Sequence, residues 1–219
     1  ELGEAAYSSM AMTLEEDTAR TIALQEFGDA LHISDEDSLI FHVVKDDQVN
    51  AFALPGGHIV VFTGILDKMD QPGELAALLA HEGTHVAERH STRMLMRQLA
   101  SYVFISMLIG DASAIVAVVA ENADNIRNLS YTRGLEEDAD RHGMERLHAR
   151  GVDPQGMVEL LKLLNEEAME IPQAMQFLSS HPLTQDRIST AETEVSKLGP
   201  MAVAPLDLVP LFTAVRGNK

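Results

Sequence analysis

LAALLAHEGTHVAERH, residues 75–90, decides how the rest of the chain is understood. Its first half is dominated by apolar residues, and it follows Asp70-Gln71-Pro72-Gly73, where a proline near the first turn suits a helix start. The spacing predicts one strong helix. Within it His81-Glu82-Gly83-Thr84-His85 forms the pattern H-E-x-x-H. Residues four apart on a helix differ by only about 40° in direction, so both imidazoles can face one metal ion, and Glu82, one step round, can reach an attacking water. Gly83 costs about 1 kcal/mol relative to alanine in mid-helix, which implies that another group packs closely there.

Composition narrows the chemistry around that motif. The 219 residues with 46% apolar content suffice for one ordinary domain with a real core. A formal charge of −18, from 34 acidic against 16 basic residues, repels phosphate backbones and excludes nucleic acid as a partner. The chain has no cysteine, so disulfides, thiolate nucleophiles and cysteine-bound zinc are excluded and a transition metal must be held by histidine and carboxylate.

A catalytic zinc site takes three protein ligands and an open position for water. The third is sought in Tyr131-Thr132-Arg133-Gly134-Leu135-Glu136-Glu137-Asp138-Ala139-Asp140, which offers four carboxylates. Helical phase separates them: Glu136 and Asp140 share a side with Gly143 and Leu147, while Asp138 falls with His142 and Glu145 on a solvated face. Glu136 is therefore expected to complete a ligand set of His81, His85 and Glu136, with Asp140, one turn on, bonding the far nitrogen of a ligating histidine. Glu82 is expected to act as general base, giving a zinc-dependent hydrolase. His181, before Pro182, and Arg187 form a pair able to donate protons to a developing oxyanion.

Elsewhere the pattern predicts a first helix opening at Thr13 and carrying Ala19, Ile22, Ala23 and Phe27 to Gly28, then three short strands in LIFHVV, VNAFAL and HIVVF, residues 39–62, two of them joined as a hairpin. The strand around His58, Ile59 and Val60 is expected to be an exposed edge able to pair with an extended peptide. The apolar run 99–120 has Gly110-Asp111 at its middle, which suits a turn between two helices better than a membrane crossing. Its 101–120 part is a candidate surface for membrane or unfolded protein. Further helices are expected at Leu135–Ala149, closed by Gly151, and after Pro154. The tail from Pro200 stays unassigned, so residues 1–199 are taken as the domain and 200–219 as a tail.

Several motifs then fall into one order: Asn50-Ala51-Phe52, Pro55-Gly56-Gly57, Thr63-Gly64-Ile65-Leu66, the HEGTH stretch, Tyr131-Thr132-Arg133 through Glu136 to Asp140, Asp153-Pro154, and His181-Pro182 to Arg187. Over roughly residues 10–195 the chain resembles the zinc metallopeptidases (gluzincins) that include HtpX and the type I CAAX prenyl endopeptidase, in their soluble BepA-like branch. The resemblance implies an α+β, mainly α, zincin-like fold with a small sheet of about three strands, an H-E-x-x-H helix and a helical C-terminal half. It implies a single zinc ion on His81, His85 and Glu136, Asn50 near the substrate backbone, and His181 beside the metal as either a transition-state group or a blocking ligand. Gly83-Thr84 departs from the bulky-then-small pair usual in that family and bears on local packing.

The function so implied is a metalloendopeptidase of protein quality control, acting on unfolded, misassembled or membrane-associated polypeptides in the bacterial cell envelope, periplasmic or lipid-anchored. A start at Glu1 rather than Met fits a processed chain. The rival from another class is a latent or self-inhibited protease that serves mainly as a chaperone-like assembly factor. A third reading is a zinc hydrolase of non-peptide substrates.

Overall fold

The computed structural model describes residues 2–34, 38–98, 131–170, 175–183 and 185–217, with the single positions 100, 104 and 108. Helix α1 (Leu2–Ala11) is followed by α2 (Thr18–Leu31). The second helix starts later than Thr13, because Thr13 turns its hydroxyl back to the Met10 carbonyl, whereas the Asp17 side chain accepts from the Arg20 amide and caps the new helix. Its buried face is also rotated from the expected one. Leu24, Phe27 and Leu31 enter the core while Ile22 stays 58% exposed.

Strands β1 (Ile40–Val44), β2 (Ala51–Ala53) and β3 (His58–Phe62) form a sheet in the order β1-β3-β2. β1 runs parallel to β3, and β2 pairs antiparallel with it. The β2–β3 hairpin turns through Gly56 and Gly57, both with φ of 91°; a side chain at Gly57 would also strike the Ser38 carbonyl. The sheet corrects one expectation. The strand holding His58, Ile59 and Val60 is central and bonded on both sides, so it has no free edge for a peptide. Among the described residues the edge beside it that no other strand pairs belongs to β2.

One face of the sheet, carrying Phe41, Val43, Ala51, Ile59 and Val61, joins the main core. The other carries His42 and His58, over which Tyr7 of α1 is stacked. A short helix α3 (Thr63–Leu66) leads to α4 (Pro72–Ala87), which opens on a capping box between Gln71 and Glu74 with Pro72 in its first turn. From Leu75 to Val86 every residue of α4 is buried.

After α5 (His90–Gln98) come α6 (Arg133–Ala149), α7 (Gln155–Glu170), α8 (Met175–Ser180), α9 (Gln185–Leu198) and α10 (Val209–Arg216). Helices α6 and α7 pack on α4, and α7 approaches so closely that a side chain at Gly156 would meet the Gly73 carbonyl at 2.3 Å. The C-terminal stretch has more order than the sequence suggested: Leu208, Phe212 and Val215 reach the core, and Arg20 bonds the Arg216 carbonyl at 3.0 Å. The architecture is α+β and mainly helical, with a zincin-like arrangement of three-stranded sheet and H-E-x-x-H helix. Among the described residues no helix is long and apolar enough to cross a membrane. The hairpin expected at 99–120 lies outside the described residues except at 100, 104 and 108.

Candidate metal centre

Helix α4 presents His81, Glu82 and His85, α6 presents Glu136 and Asp140, the end of α8 delivers His181, and α9 brings Arg187. All seven side chains are buried. One donor atom each from His81, His85, Glu136 and His181 lies within 4.8 Å of the others. His81 Nε2 is 3.1 Å from His85 Nε2 and 3.3 Å from His181 Nδ1. Glu136 lies 3.6 Å from His81 Nε2, 3.4 Å from His85 Nε2 and 3.1 Å from His181 Nδ1.

These separations test the fit to zinc. Bonds of about 2.0–2.1 Å place tetrahedral donors about 3.3 Å apart, and the five distances above run from 3.1 to 3.6 Å. Three imidazole nitrogens and a carboxylate converging in a buried pocket require a shared cation or shared protons. The donor set, nitrogen and oxygen without sulfur, suits a single zinc ion.

Around the four donors lies a framework that orients them. Asp140 Oδ1 is 2.9 Å from His81 Nδ1, and the Arg187 fork donates to both Asp140 oxygens at 2.8 Å. A further Arg187 nitrogen donates to Glu136 Oε2 at 2.7 Å and to the Pro182 carbonyl at 3.0 Å. Arg187 was expected to serve an oxyanion. Its donors instead hold the two carboxylates of α6, so it braces the ligand set rather than facing a substrate carbonyl. His85 Nδ1 is 3.1 Å from His90 Nδ1, and the Tyr131 ring stacks on His85 with centroids 3.9 Å apart.

Electrostatics follow this geometry. Burial alone would raise the Glu136 carboxyl, but the His181, His85 and His81 imidazoles outweigh it and hold it well below the usual range. Asp140 is lowered too, with Arg187 overcoming its burial. Burial drives His85 down to about 3 despite Glu136 beside it, whereas Asp140 and Glu136 overcome burial at His81 and raise it. Burial raises Glu82, and the His181 and His81 imidazoles only partly offset this. Among the described residues no side chain makes a hydrogen bond to Glu82 or to His181 Nε2, 3.5 Å from it, and the Ala53 backbone of β2 also helps to lower Glu82.

The other expected residues lie apart from this group. Asn50 precedes β2 with its Oδ1 buried and, among the described residues, without a hydrogen-bond partner. His58 faces the α1 side of the sheet, 3.0 Å from His42 and 3.2 Å from Glu4, while Ile59 lies in the core and Val60 is buried on the His58 face. Two contributors went unnoticed in the sequence, His90 and Ser91, and Tyr131 was seen only as part of a motif. A histidine five positions beyond His85 was the available signal for the first.

Residues 15–195 match the sequence pattern of Peptidase family M48, and the chain belongs to that family of metallopeptidases. Within it the chain is similar to the "Beta-barrel assembly-enhancing protease" of Yersinia pestis, at 32% identity over 75% of this chain and 36% of that protein. It is similar to the "Mitochondrial metalloendopeptidase OMA1" of Schizosaccharomyces pombe, at 32% identity over 69% of this chain and 45% of that protein. It is also similar to the "Metalloprotease YcaL" of Escherichia coli, at 28% identity over 67% of this chain and 58% of that protein. The chain thus spans little more than a third of the length of the assembly-enhancing proteases.

Proposed function

We propose that this chain is the catalytic unit of a zinc-dependent endopeptidase that hydrolyses unfolded or misassembled polypeptides, with His81, His85 and Glu136 as the ligands and Glu82 as the base. The observation that carries it is the convergence of buried donors from two helices beside Glu82, a buried carboxylate that pairs with no side-chain hydrogen-bond donor among the described residues. Zinc, when bound, polarises a scissile carbonyl and makes water acidic enough to give up a proton near neutral pH. Glu82 accepts that proton and returns it to the leaving amine, a task suited to a carboxyl raised by burial. Asp140 fixes the ring of His81, and Arg187 fixes Asp140 and Glu136.

The free edge of β2 is the surface suited to an extended peptide, with main-chain groups turned away from β3. Asn50, at its head, offers a buried carbonyl oxygen in need of a donor. Residues 1–199 form the peptidase domain, and the tail that follows packs its helix Val209–Arg216 against α2 as a strap. A place in the bacterial envelope agrees with the bacterial relatives. Phe104 and Leu108, 64% and 72% exposed, support contact with apolar clients or a membrane surface.

The test is a casein or peptide-library digest with and without chelator, on the chain and on Glu82→Gln. The variant is expected to keep zinc while activity falls about 10²–10⁴-fold. Full activity in Glu82→Gln, or digestion indifferent to chelator, would refute the assignment.

A second reading, latency, is favoured by His181. Its Nδ1 stands among the donors and its Nε2 faces Glu82, so it fills the position that an attacking water needs. His181→Ala is expected to raise proteolysis if the residue is a latch and to lower it if it assists the transition state. Unchanged activity assigns it a structural role.

A further inference from the structure

We propose that His90 is a positioning residue for the zinc ligand His85, holding the imidazole by a hydrogen bond between two uncharged rings. This rests on the zinc-peptidase reading above and adds a residue to it.

The local chain is shaped to make the contact. Helix α4 ends at Ala87, and Arg89 adopts φ 55°, a left-handed conformation that non-glycine residues rarely take. That turn starts α5 in a new direction and brings His90 back against the helix it has just left. His90 is 2% exposed and His85 0%. Their Nδ1 atoms lie 3.1 Å apart, with ring planes at 66°. The next residue contributes as well: Ser91 Oγ is 2.9 Å from the Tyr131 hydroxyl, and the Tyr131 ring covers one face of His85 at 17°. The start of α5 therefore restrains His85 both at its nitrogen and, through Tyr131, at its face.

The chemistry of the bond specifies the partner. His85 turns Nε2 towards His81 and Glu136, so its Nδ1 must carry the proton when Nε2 gives its lone pair to a metal. It donates, and His90 Nδ1 accepts. His81 is oriented differently, by the carboxylate of Asp140 with Arg187 behind it. One zinc histidine is thus held by an anion and the other by a neutral acceptor. A carboxylate partner makes an imidazole a stronger donor, so a neutral partner at His85 limits the charge delivered to the metal from that side.

The experiment measures zinc release from the full chain into a chromophoric chelator, alongside the visible spectrum of the cobalt-substituted protein, for wild type, His90→Ala, His90→Asn and His90→Gln. Asparagine places an acceptor oxygen near the position of Nδ1, whereas the longer glutamine reaches towards Nε2. His90→Ala is expected to weaken zinc retention about 10–100-fold and to shift the cobalt bands; His90→Asn should restore both, and His90→Gln should not. Should His90→Ala fail to fold, the contrast between asparagine and glutamine decides. Wild-type release in His90→Ala, or identical behaviour of the asparagine and glutamine variants, overturns the proposal and leaves the zinc site standing. A wild-type chain that takes up no zinc removes the zinc reading itself and this inference with it.

Discussion

Two of the buried histidine pairs among the described residues look alike at close range. His81 and His85 approach at 3.1 Å and His42 and His58 at 3.0 Å, and each pair has a tyrosine stacked on one ring, Tyr131 on His85 at 3.9 Å and Tyr7 on His42 at 3.8 Å. The difference lies in the carboxylates. Glu136 is wholly buried and sits among the nitrogens that face one another. Glu4 and Glu16 have side chains 68% and 40% exposed and attach to the outward nitrogens, so the second group is a line from solvent to solvent. Among the described residues only the first converges four donors. Histidines at contact distance do not make a metal site; a sequestered anion placed between their lone pairs does.

Removing that anion gives the largest expected effect. Glu136→Ala should abolish zinc binding and proteolysis and, by leaving Asp140 as the one buried carboxylate paired with Arg187, lower stability by about 1–3 kcal/mol. Zinc content per chain and urea unfolding measure both, and a variant that still binds one zinc would erase the distinction between the two clusters. Gly83→Leu probes the packing behind the first cluster. A side chain there would begin 2.8 Å from the Ile33 methyl, so a loss of about 1–3 kcal/mol in urea unfolding is expected, with the ligands themselves intact.

The smallest effect belongs to the second cluster. Burial and the neighbouring His58 hold His42 below its usual 6.5, with Glu16 and Glu4 only partly opposing them. As pH falls below about 6.5 the unfolded chain therefore takes up a proton that the folded chain resists, and stability drops until the folded value is passed. His42→Phe, which keeps a ring under Tyr7, should flatten this acid-side loss while leaving zinc content and digestion unchanged. Equal pH slopes for the variant and the parent, measured by urea midpoints at pH 7 and pH 5, would contradict it.

What could be seen in advance was what repeats with the helix. His81, Glu82, His85, Glu136 and Asp140 all sit on helices whose phase alone assigns their faces. His90 escaped because the left-handed turn at Arg89 breaks that phase, and no periodicity carries across it. The order of strands escaped because the link from β1 to β3 is a crossover, although the unbroken apolar run Ile59-Val60-Val61-Phe62 is what a strand covered on both faces looks like. Arg187 was placed near the centre, but its pairing with Asp140 and Glu136 was not foreseen, since nothing in its own neighbourhood reveals that two carboxylates of a distant helix meet its guanidinium.

Where α4 and α7 cross, a methyl group at Gly156 would strike the Gly73 backbone. The contact sets the spacing of the two helices at the start of α4, the rail that carries His81 and His85 further along. A single alanine at Gly156 would act as a wedge under that rail, reaching the metal from the far end of the helix.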